Sequence, residues 1–254
     1  MNRNLNFIDN FNSIDESQFN KLIRKDDAPF IQYSFLNALE NSGCVGRDYG
    51  WTPKHLIKSN KNVLSGFLPI YIKNNSHGEF VFDHSWSYAL NRAGRNYFPK
   101  LLTAIPFTPC ETRKIITESD SNEYIEKVIE LMQEKNIETW HVLYPDSNLK
   151  KLFLKNNLIE RFGYKFIWSN KGYAEFEDYL SIFKSRQRKN IKNERRKITD
   201  LNITFQIKES DSLTNKDWDD FFKFYKNTYE ERLHRPYLNI DFFREIHTCR
   251  ETLR

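Results

Sequence analysis

The chain has 254 residues, of which 39% are hydrophobic and 15% aromatic, a composition that excludes a disordered protein and favours a packed globular one. Its 39 Lys+Arg and 34 Asp+Glu residues give a net charge of +5, and nearly all of that excess comes from one stretch of the chain. The most apolar run, residues 63–72, is too short to span a bilayer, and the three cysteines form no metal-binding pair, so we expect a cytoplasmic protein without a membrane span.

The N-terminal half begins with two predicted helices. Ser13 followed by Glu16 is a capping-box pattern that predicts a helix through about Lys25, and Ser34 predicts the cap of a second helix ending near Gly43. An antiparallel meander is predicted next. Its strands are residues 54–59, 63–73 and 79–83, separated by polar turns.

Helices and strands alternate through the rest of the chain. The predicted helices are residues 121–135, 148–157, 176–198 with a break near Ser185, and 217–233, and the predicted strands are residues 139–145, 164–170 and 203–208. This mixed order predicts an α/β fold, of the α+β kind, with a mixed and partly antiparallel sheet.

The excess positive charge lies in residues 184–197, "KSRQRKNIKNERRK", which hold eight basic residues and one acid. Without this stretch, the 39 bases and 34 acids of the chain become 31 and 33. On a helix, Phe183, Ile191 and Ile198 form only a narrow apolar stripe, so most basic groups point to water or to a ligand. A solvated helix face and an anion-binding surface both fit this pattern.

A second polar cluster occupies residues 76–86, "SHGEFVFDHSW". In an extended strand His77, Glu79 and Asp83 share one face, and the phenylalanines between them fill the other. Carboxylates beside a histidine could perform acid/base chemistry, whereas the spacing matches no metal motif, so we expect no metal site. An amphipathic hairpin with a polar outer face is the alternative interpretation.

Common nucleotide and nucleophile motifs are missing. The sequence contains no Walker loop, no G-x-G-x-x-G and no G-x-S-x-G.

Several strings, taken in order, resemble the FemAB-like proteins named for peptidoglycan biosynthesis or recognition, which belong to the GNAT acyltransferase superfamily. The resemblance runs from about Phe30 to Phe243. The strings are "GWTPKHL" (50–56), "PIYIKNNSHGEFVFDHSW" (69–86), "NRAGRNYFPKL" (91–101), "PFTP" (106–109), "FIWSNKGYAEFEDYLSIFKSRQRKNIKNERRKI" (166–198) and "WDDFFKFYKNTYEERLHRPYLNIDFF" (218–243).

The resemblance implies a GNAT-like domain over residues 1–180 and the beginning of a second, incomplete one over residues 181–254. It implies acyl or aminoacyl transfer to an amine, with no bound cofactor and with acyl-CoA or aminoacyl-tRNA as the donor. Both donors are polyanions, which gives the basic stretch a ligand and makes a tRNA contact a prediction.

For such a reaction the sequence offers candidate site residues. Glu79 or Asp83 is predicted to be the catalytic base that deprotonates the amine. The residues predicted to bind substrate or donor are Trp86, Lys100, Arg186, Arg188, Lys189, Lys192 and Arg195.

The chain also departs from the family pattern. Asn75 and Ile167 stand where histidines are expected, and Thr112 stands where a glycine is expected. Residues 244–254 match no expected string, and the glycine-rich turn that holds the CoA pyrophosphate in many GNAT proteins is absent. We therefore expect a truncated gene or a fragment.

Two other classes of function stay open. The basic helix could make the chain a noncatalytic RNA or tRNA binder, whose affinity would depend steeply on salt. An inactive truncated remnant is the other alternative. The residues specify neither donor, acceptor nor oligomeric state.

Overall fold

The computed structural model describes residues 4–249, apart from the side chain of Ser210. Residues 250–254, which end the C-terminal string that matches no family pattern, lie outside the described residues.

Contacts divide the chain into two compact units. The first consists of the described parts of Met1–Glu160 and Ser210–Arg254, and the second is Arg161–Glu209. This division differs from the boundary predicted after residue 180, because the segment that follows the second unit packs with the first part of the chain.

The first unit contains two four-stranded sheets within its described residues. Its strands are β1 (Leu5–Ile8), β2 (Trp51–Pro53), β3 (His55–Asn60), β4 (Val63–Leu68), β5 (Tyr71–Lys73), β6 (Lys100–Thr103), β7 (Ile116–Thr117) and β8 (Trp140–Val142). One sheet has the order β1-β3-β4-β7 and is antiparallel. The other has the order β2-β5-β6-β8 and is mixed, because β8 runs parallel to β6. The predicted α/β class with a partly antiparallel sheet is confirmed.

The predicted meander is correct for the β3–β4 hairpin and wrong beyond it, because the predicted strand 63–73 is two strands, β4 and β5, that belong to different sheets. Lys61 and Asn62 form the β3–β4 turn with φ of +48° and +66°, as a two-residue hairpin requires. Residues 79–83 form no strand. Gly78 and Phe80 have φ of +77° and +56°, and such left-handed residues interrupt an extended backbone. This segment is therefore a loop.

Helices occur in both units. They are α1 (Glu16–Asn20), α2 (Tyr33–Asn41), α3 (His84–Arg92), α4 (Asn122–Lys135), α5 (Ser147–Lys155), α6 (Phe176–Ser181), α7 (Ser185–Asp200), α8 (Asn215–Glu230) and α9 (Ile240–Thr248). The predictions that correspond to α4, α5, α6 with α7, and α8 are confirmed, including the break before Ser185.

The first two helices begin differently from the prediction. Asp15 rather than Ser13 caps α1, because the Asp15 carboxylate accepts a hydrogen bond from the Gln18 backbone N–H at 2.9 Å. The helix also ends at Asn20, earlier than predicted. Ser34 lies within α2 and does not cap it.

The last helix of the described chain joins the core of the first unit. Phe242 and Ile246 of α9 are buried, and the Phe242 ring meets that of Phe35 edge-on at 5.6 Å. Burying each such side chain contributes about 1.5–3 kcal/mol. Asn239 caps α9 and also donates from Nδ2 to the Ser42 carbonyl at 2.6 Å. These contacts explain why the C-terminal segment belongs to the first unit.

The second unit contains the helices α6 and α7 and no strand. Residues 164–170 and 203–208 were predicted to be strands, but both are irregular, and Phe166 and Ile207 are almost fully exposed. Backbone N–H and C=O groups of a strand must pair with a neighbouring strand, and Arg161–Glu209 provides none. The alternating pattern is therefore not sufficient to form a strand here.

Candidate functional site

The loop between β5 and α3, residues 74–83, passes over a buried cluster of charged side chains. Its turn depends on Gly78, because a Cβ atom there would lie 2.5 Å from the Phe107 ring. Gly50 is similarly restricted, since a Cβ atom would lie 2.2 Å from the Asn75 side-chain amide. Glycine is required at both turns because both have positive φ and no room for a side chain.

The register of β5 and β6 explains why charges meet beneath this loop. Lys73 and Lys100 are directly opposite each other in this antiparallel pair, and both side chains are fully buried. Two like charges at opposing positions are destabilising. Glu79 and Asp83 from the loop supply the two compensating carboxylates, and they are 1% and 3% exposed.

Lys100 is fully hydrogen-bonded. Its ammonium donates to Ser76 Oγ at 3.0 Å, to Glu79 Oε2 at 2.8 Å and to Asp83 Oδ2 at 2.6 Å. An ammonium group has three protons to donate, so every donor is satisfied. A buried charge of this kind is tolerated only while its partners are present.

The two carboxylates differ in their environment. Burial alone would raise the pKa of Asp83, but hydrogen bonds from Lys100, Tyr97 and Ser76 lower it to about 2. Burial raises the pKa of Glu79, although Lys100 opposes the shift. Glu79 Oε1 is buried and has no hydrogen-bond partner among the described residues. Asp83 is therefore held ionised more firmly than Glu79.

Lys73 is much less satisfied than Lys100. Its ammonium donates to the His77 carbonyl at 3.1 Å, lies 3.8 Å from the centre of the Trp51 ring and is 4.0 Å from Glu79 Oε1. Burial lowers its pKa to about 7, and the Glu79 carboxylate only partly opposes this shift. The two buried lysines therefore differ in how firmly they retain a proton.

A polar contact extends the cluster toward β8. Tyr97 donates its hydroxyl hydrogen bond to Asp83, and the same hydroxyl is 3.3 Å from His141 Nε2. The carboxylate is thus connected to a half-buried histidine.

A cleft of about 810 Å³ opens beside the loop in the first unit. Tyr237 stacks on Phe107 with ring centres 5.1 Å apart and planes 16° apart, and Phe80 meets Tyr237 edge-on at 5.7 Å. The aromatic residues lining the cleft are Tyr49, Trp51, Phe80, Phe107, Tyr229 and Tyr237.

His77 connects the buried cluster with the cleft. Its carbonyl accepts hydrogen bonds from Trp51 Nε1 at 3.0 Å and from Lys73 Nζ at 3.1 Å. Its backbone is therefore held by two buried side chains, whereas the residue itself is exposed and lines the cleft. Histidine is the side chain most often used to accept a proton near neutral pH.

In the second unit, α7 presents its basic side chains to solvent, and none of its residues is buried. Lys192 pairs with Glu177 at 2.6 Å, and the Arg195 guanidinium lies 4.2 Å from the centre of the Phe176 ring. Exposed pairs of this kind contribute little to stability. Most of the positive charge on this helix therefore stays available to a ligand.

Comparison with protein families identifies the chain. The model of the FemAB-like family, described as peptidoglycan biosynthesis/recognition, matches residues 10–252. The chain belongs to the FemAB-like family. The resemblance inferred from the sequence is thereby confirmed. Searches of curated proteins and of solved structures find no match to this FemAB-like chain.

The structure brings together some of the predicted site residues. Glu79, Asp83 and Lys100 of this FemAB-like protein form one cluster, but all three are buried and none lines the cleft. Trp86 lies on α3, is 43% exposed and is not among the cleft-lining residues. The roles predicted for these residues in catalysis and donor binding stay predictions.

One predicted arrangement is wrong. His77, Glu79 and Asp83 do not share a strand face, because the loop turns at Gly78 and exposes His77 while burying both carboxylates. Phe82, predicted to fill the apolar face, is 85% exposed.

The sequence analysis missed Lys73, Tyr97 and the aromatic cleft. Lysines within the apolar stretches "YIK" and "KLLT" were the available signal for Lys73 and Lys100. Among the positions that depart from the family pattern, Asn75 lines the cleft, Thr112 is buried and Ile167 is exposed.

No helix among the described residues is long and apolar enough to cross a bilayer. The described residues also contain no group of three or more metal-ligand side chains.

Proposed function

We propose that this FemAB-like protein transfers an acyl or aminoacyl group to an amine in peptidoglycan metabolism. Family membership supports the link to peptidoglycan, and the cleft provides a concave site with a few polar groups, as substrate sites usually do. The acceptor amine binds in this cleft.

The observation that carries the proposal is the position of His77. Its carbonyl is held by two buried donors, while its side chain borders the cleft. In the proposed reaction the amine nitrogen attacks the acyl carbonyl carbon, and the thioester C–S or ester C–O bond breaks. The imidazole of His77 accepts the proton that the amine nitrogen loses and passes it to the departing sulfur or ribose oxygen, which leaves as a thiol or hydroxyl.

Glu79, Asp83 and Lys100 position the loop in this proposal. Their side chains are almost completely buried, so they influence the cleft only by fixing the backbone of the loop, residues 74–83. A direct role for either carboxylate would require this loop to open.

The donor in this proposal is a CoA ester or an aminoacyl-tRNA, and α7 is its binding surface. Lys and Arg side chains attract phosphates, and α7 offers seven of them, none buried, against the carboxylates of Glu194 and Asp200 on the helix and Glu177 on α6. The roles predicted for Arg186, Arg188, Lys189, Lys192 and Arg195 belong to this surface.

The test is a transfer assay on matched histidine variants. Purified protein is incubated with a peptide carrying one free lysine amine and with either acetyl-CoA or an aminoacyl-tRNA, and acylation is followed by mass spectrometry. We expect His77→Gln to lower the rate about 100-fold or more, as loss of a general base does. His84→Gln should leave the rate unchanged, because His84 is also exposed but does not line the cleft. Equal rates for the two variants would remove His77 from the mechanism.

A noncatalytic RNA-binding role is the second candidate, and the exposed basic face of α7 favours it. It predicts tRNA binding without transfer from any donor. Detectable transfer that requires His77 would decide against it.

A further inference from the structure

The cleft carries positive charge that has no ion-pair partner among the described residues. Arg232 and Arg235 follow α8, line the cleft and are exposed. Neither guanidinium forms an ion pair in the part of the chain that the structure describes. Among the described lining residues Asp48 alone is acidic. The cleft therefore favours an anionic ligand.

Other residues that line the cleft are aromatic. Phe107 and Tyr237 form a stacked pair, and Phe80 closes its edge. Flat rings of this kind bind planar or apolar groups of a ligand by stacking and edge contacts. A ligand that uses both sets of residues combines an anionic group with a ring or an apolar group.

Backbone strain is concentrated at this cleft. Phe80, Phe107 and Leu233 have φ of +56°, +57° and +58°, and all three line it. Bulky side chains rarely adopt such values, and each such residue costs on the order of 1–3 kcal/mol. The other described non-glycine residues with positive φ are Lys61, Asn62, Asn136, Tyr144, Asn157 and Asn202. Strain that persists in this way is typical of ligand sites.

We propose that the cleft binds a ligand that carries an oxyanion, a carboxylate or a phosphate, beside a ring or an apolar group. Arg232 and Arg235 bind the oxyanion, since a guanidinium matches the geometry of both groups, and Tyr237 contacts the flat part. The inference rests on the proposed function only in taking this ligand to be the acceptor substrate.

Binding of three small probes tests the inference without any donor. Phenyl phosphate and phenylacetate carry the two oxyanions, and benzyl alcohol has the ring without the charge. Titration calorimetry or NMR on the full chain should show saturable binding of at least one anion below about 10 mM and at least tenfold weaker binding of benzyl alcohol. The stronger anion identifies the type of oxyanion.

Matched arginine variants locate the binding. The double variant Arg232→Gln/Arg235→Gln should weaken anion binding at least tenfold. Arg244→Gln should leave it unchanged, because Arg244 pairs with Asp219 at 2.9 Å and does not line the cleft. Undiminished anion binding by the double variant would overturn the inference.

The probes also decide the matter if the double variant does not fold. Equal binding of benzyl alcohol and the anions by the unmodified protein, or no saturable binding of either anion, would overturn the inference. Acyl transfer to the lysine peptide could still occur in that case, so failure of the inference and failure of the proposed function are separate results.

Discussion

Charged residues occur in two very different settings in this protein. In the first unit Lys73, Glu79, Asp83 and Lys100 are buried. Lys100 is hydrogen-bonded to both carboxylates, and the Lys73 ammonium lies 4.0 Å from Glu79 Oε1. In the second unit the basic residues of α7 are largely exposed. Among the described residues, this helix forms an ion pair between Lys192 and Glu177.

This difference indicates two uses of charge. Buried charges cost several kcal/mol each to desolvate, so they must be paired, and the pairing fixes the position of the loop that carries them. Exposed charges contribute little to folding and stay free to meet an anion. The buried cluster therefore fixes the loop beside the cleft, whereas the charges of α7 are exposed, as the proposed binding of a polyanion requires.

The largest expected effect is that of removing Lys100. Lys100→Met leaves Glu79 and Asp83 buried without their shared cation, which should lower the free energy of unfolding by about 3–5 kcal/mol. Lys73→Met should cost only about 1 kcal/mol at pH 7, because Lys73 makes a single hydrogen bond. Urea denaturation measures both. Equal losses would contradict the distinction between the two lysines.

The next effect concerns the turn of the cleft wall. Gly78→Ala should lower the free energy of unfolding by about 2–4 kcal/mol, because strain at positive φ adds to a clash with Phe107. Gly94→Ala is the control, since Gly94 has φ of +72° and no atom within 4 Å of a new Cβ. It should cost about 1–2 kcal/mol. Similar losses in thermal denaturation would mean that Phe107 yields to the new methyl group.

Proton binding by Lys73 should be visible in the pH dependence of stability. The folded pKa is about 7 and the unfolded one 10.5, so the unfolded chain binds more protons between these values and stability rises with pH across this window. The wild type should gain on the order of 3–4 kcal/mol over Lys73→Met from pH 7 to pH 10. Lys114, whose pKa burial lowers to about 8, contributes to both proteins and cancels. If the difference in the free energy of unfolding between the two proteins did not change with pH, Lys73 would have the pKa of an ordinary lysine.

The smallest effect on stability is expected on α7. The triple variant Arg188→Gln/Lys189→Gln/Arg195→Gln should change the free energy of unfolding by less than about 0.5 kcal/mol. It should nevertheless weaken tRNA binding and reduce the slope of log K against log salt by up to about 2–3. Fluorescence anisotropy measures this slope. Unchanged affinity at every salt concentration would rule out α7 as a polyanion surface.

The sequence predicted those elements whose pattern is local. Helical spacing of apolar residues located α4 and α5, and a polar turn between two alternating runs located the β3–β4 hairpin. Residues 79–83 alternate just as well, but positive φ at Gly78 and Phe80 and the pull of Lys100 on two carboxylates override that alternation. Residues 203–208 form no strand, because an alternating pattern does not by itself supply a neighbouring strand with which to pair.

The candidate site was only partly predictable for the same reason. Glu79, Asp83 and Lys100 could each be singled out from the sequence, but their contact depends on the register that sets Lys100 opposite Lys73. The cleft is formed by loops far apart in the chain, at Phe107 and Tyr237, and no local pattern indicates that they stack.

The most direct test of the account is the transfer rate of Glu79→Gln and Asp83→Asn, with folding checked by circular dichroism. If the buried carboxylates position the loop and His77 accepts the proton, both folded variants should retain transfer within about tenfold of the wild-type rate, since loss of a general base typically costs 100-fold or more. Complete loss of transfer in a folded Glu79→Gln or Asp83→Asn protein would contradict the account and assign the catalytic base to that carboxylate.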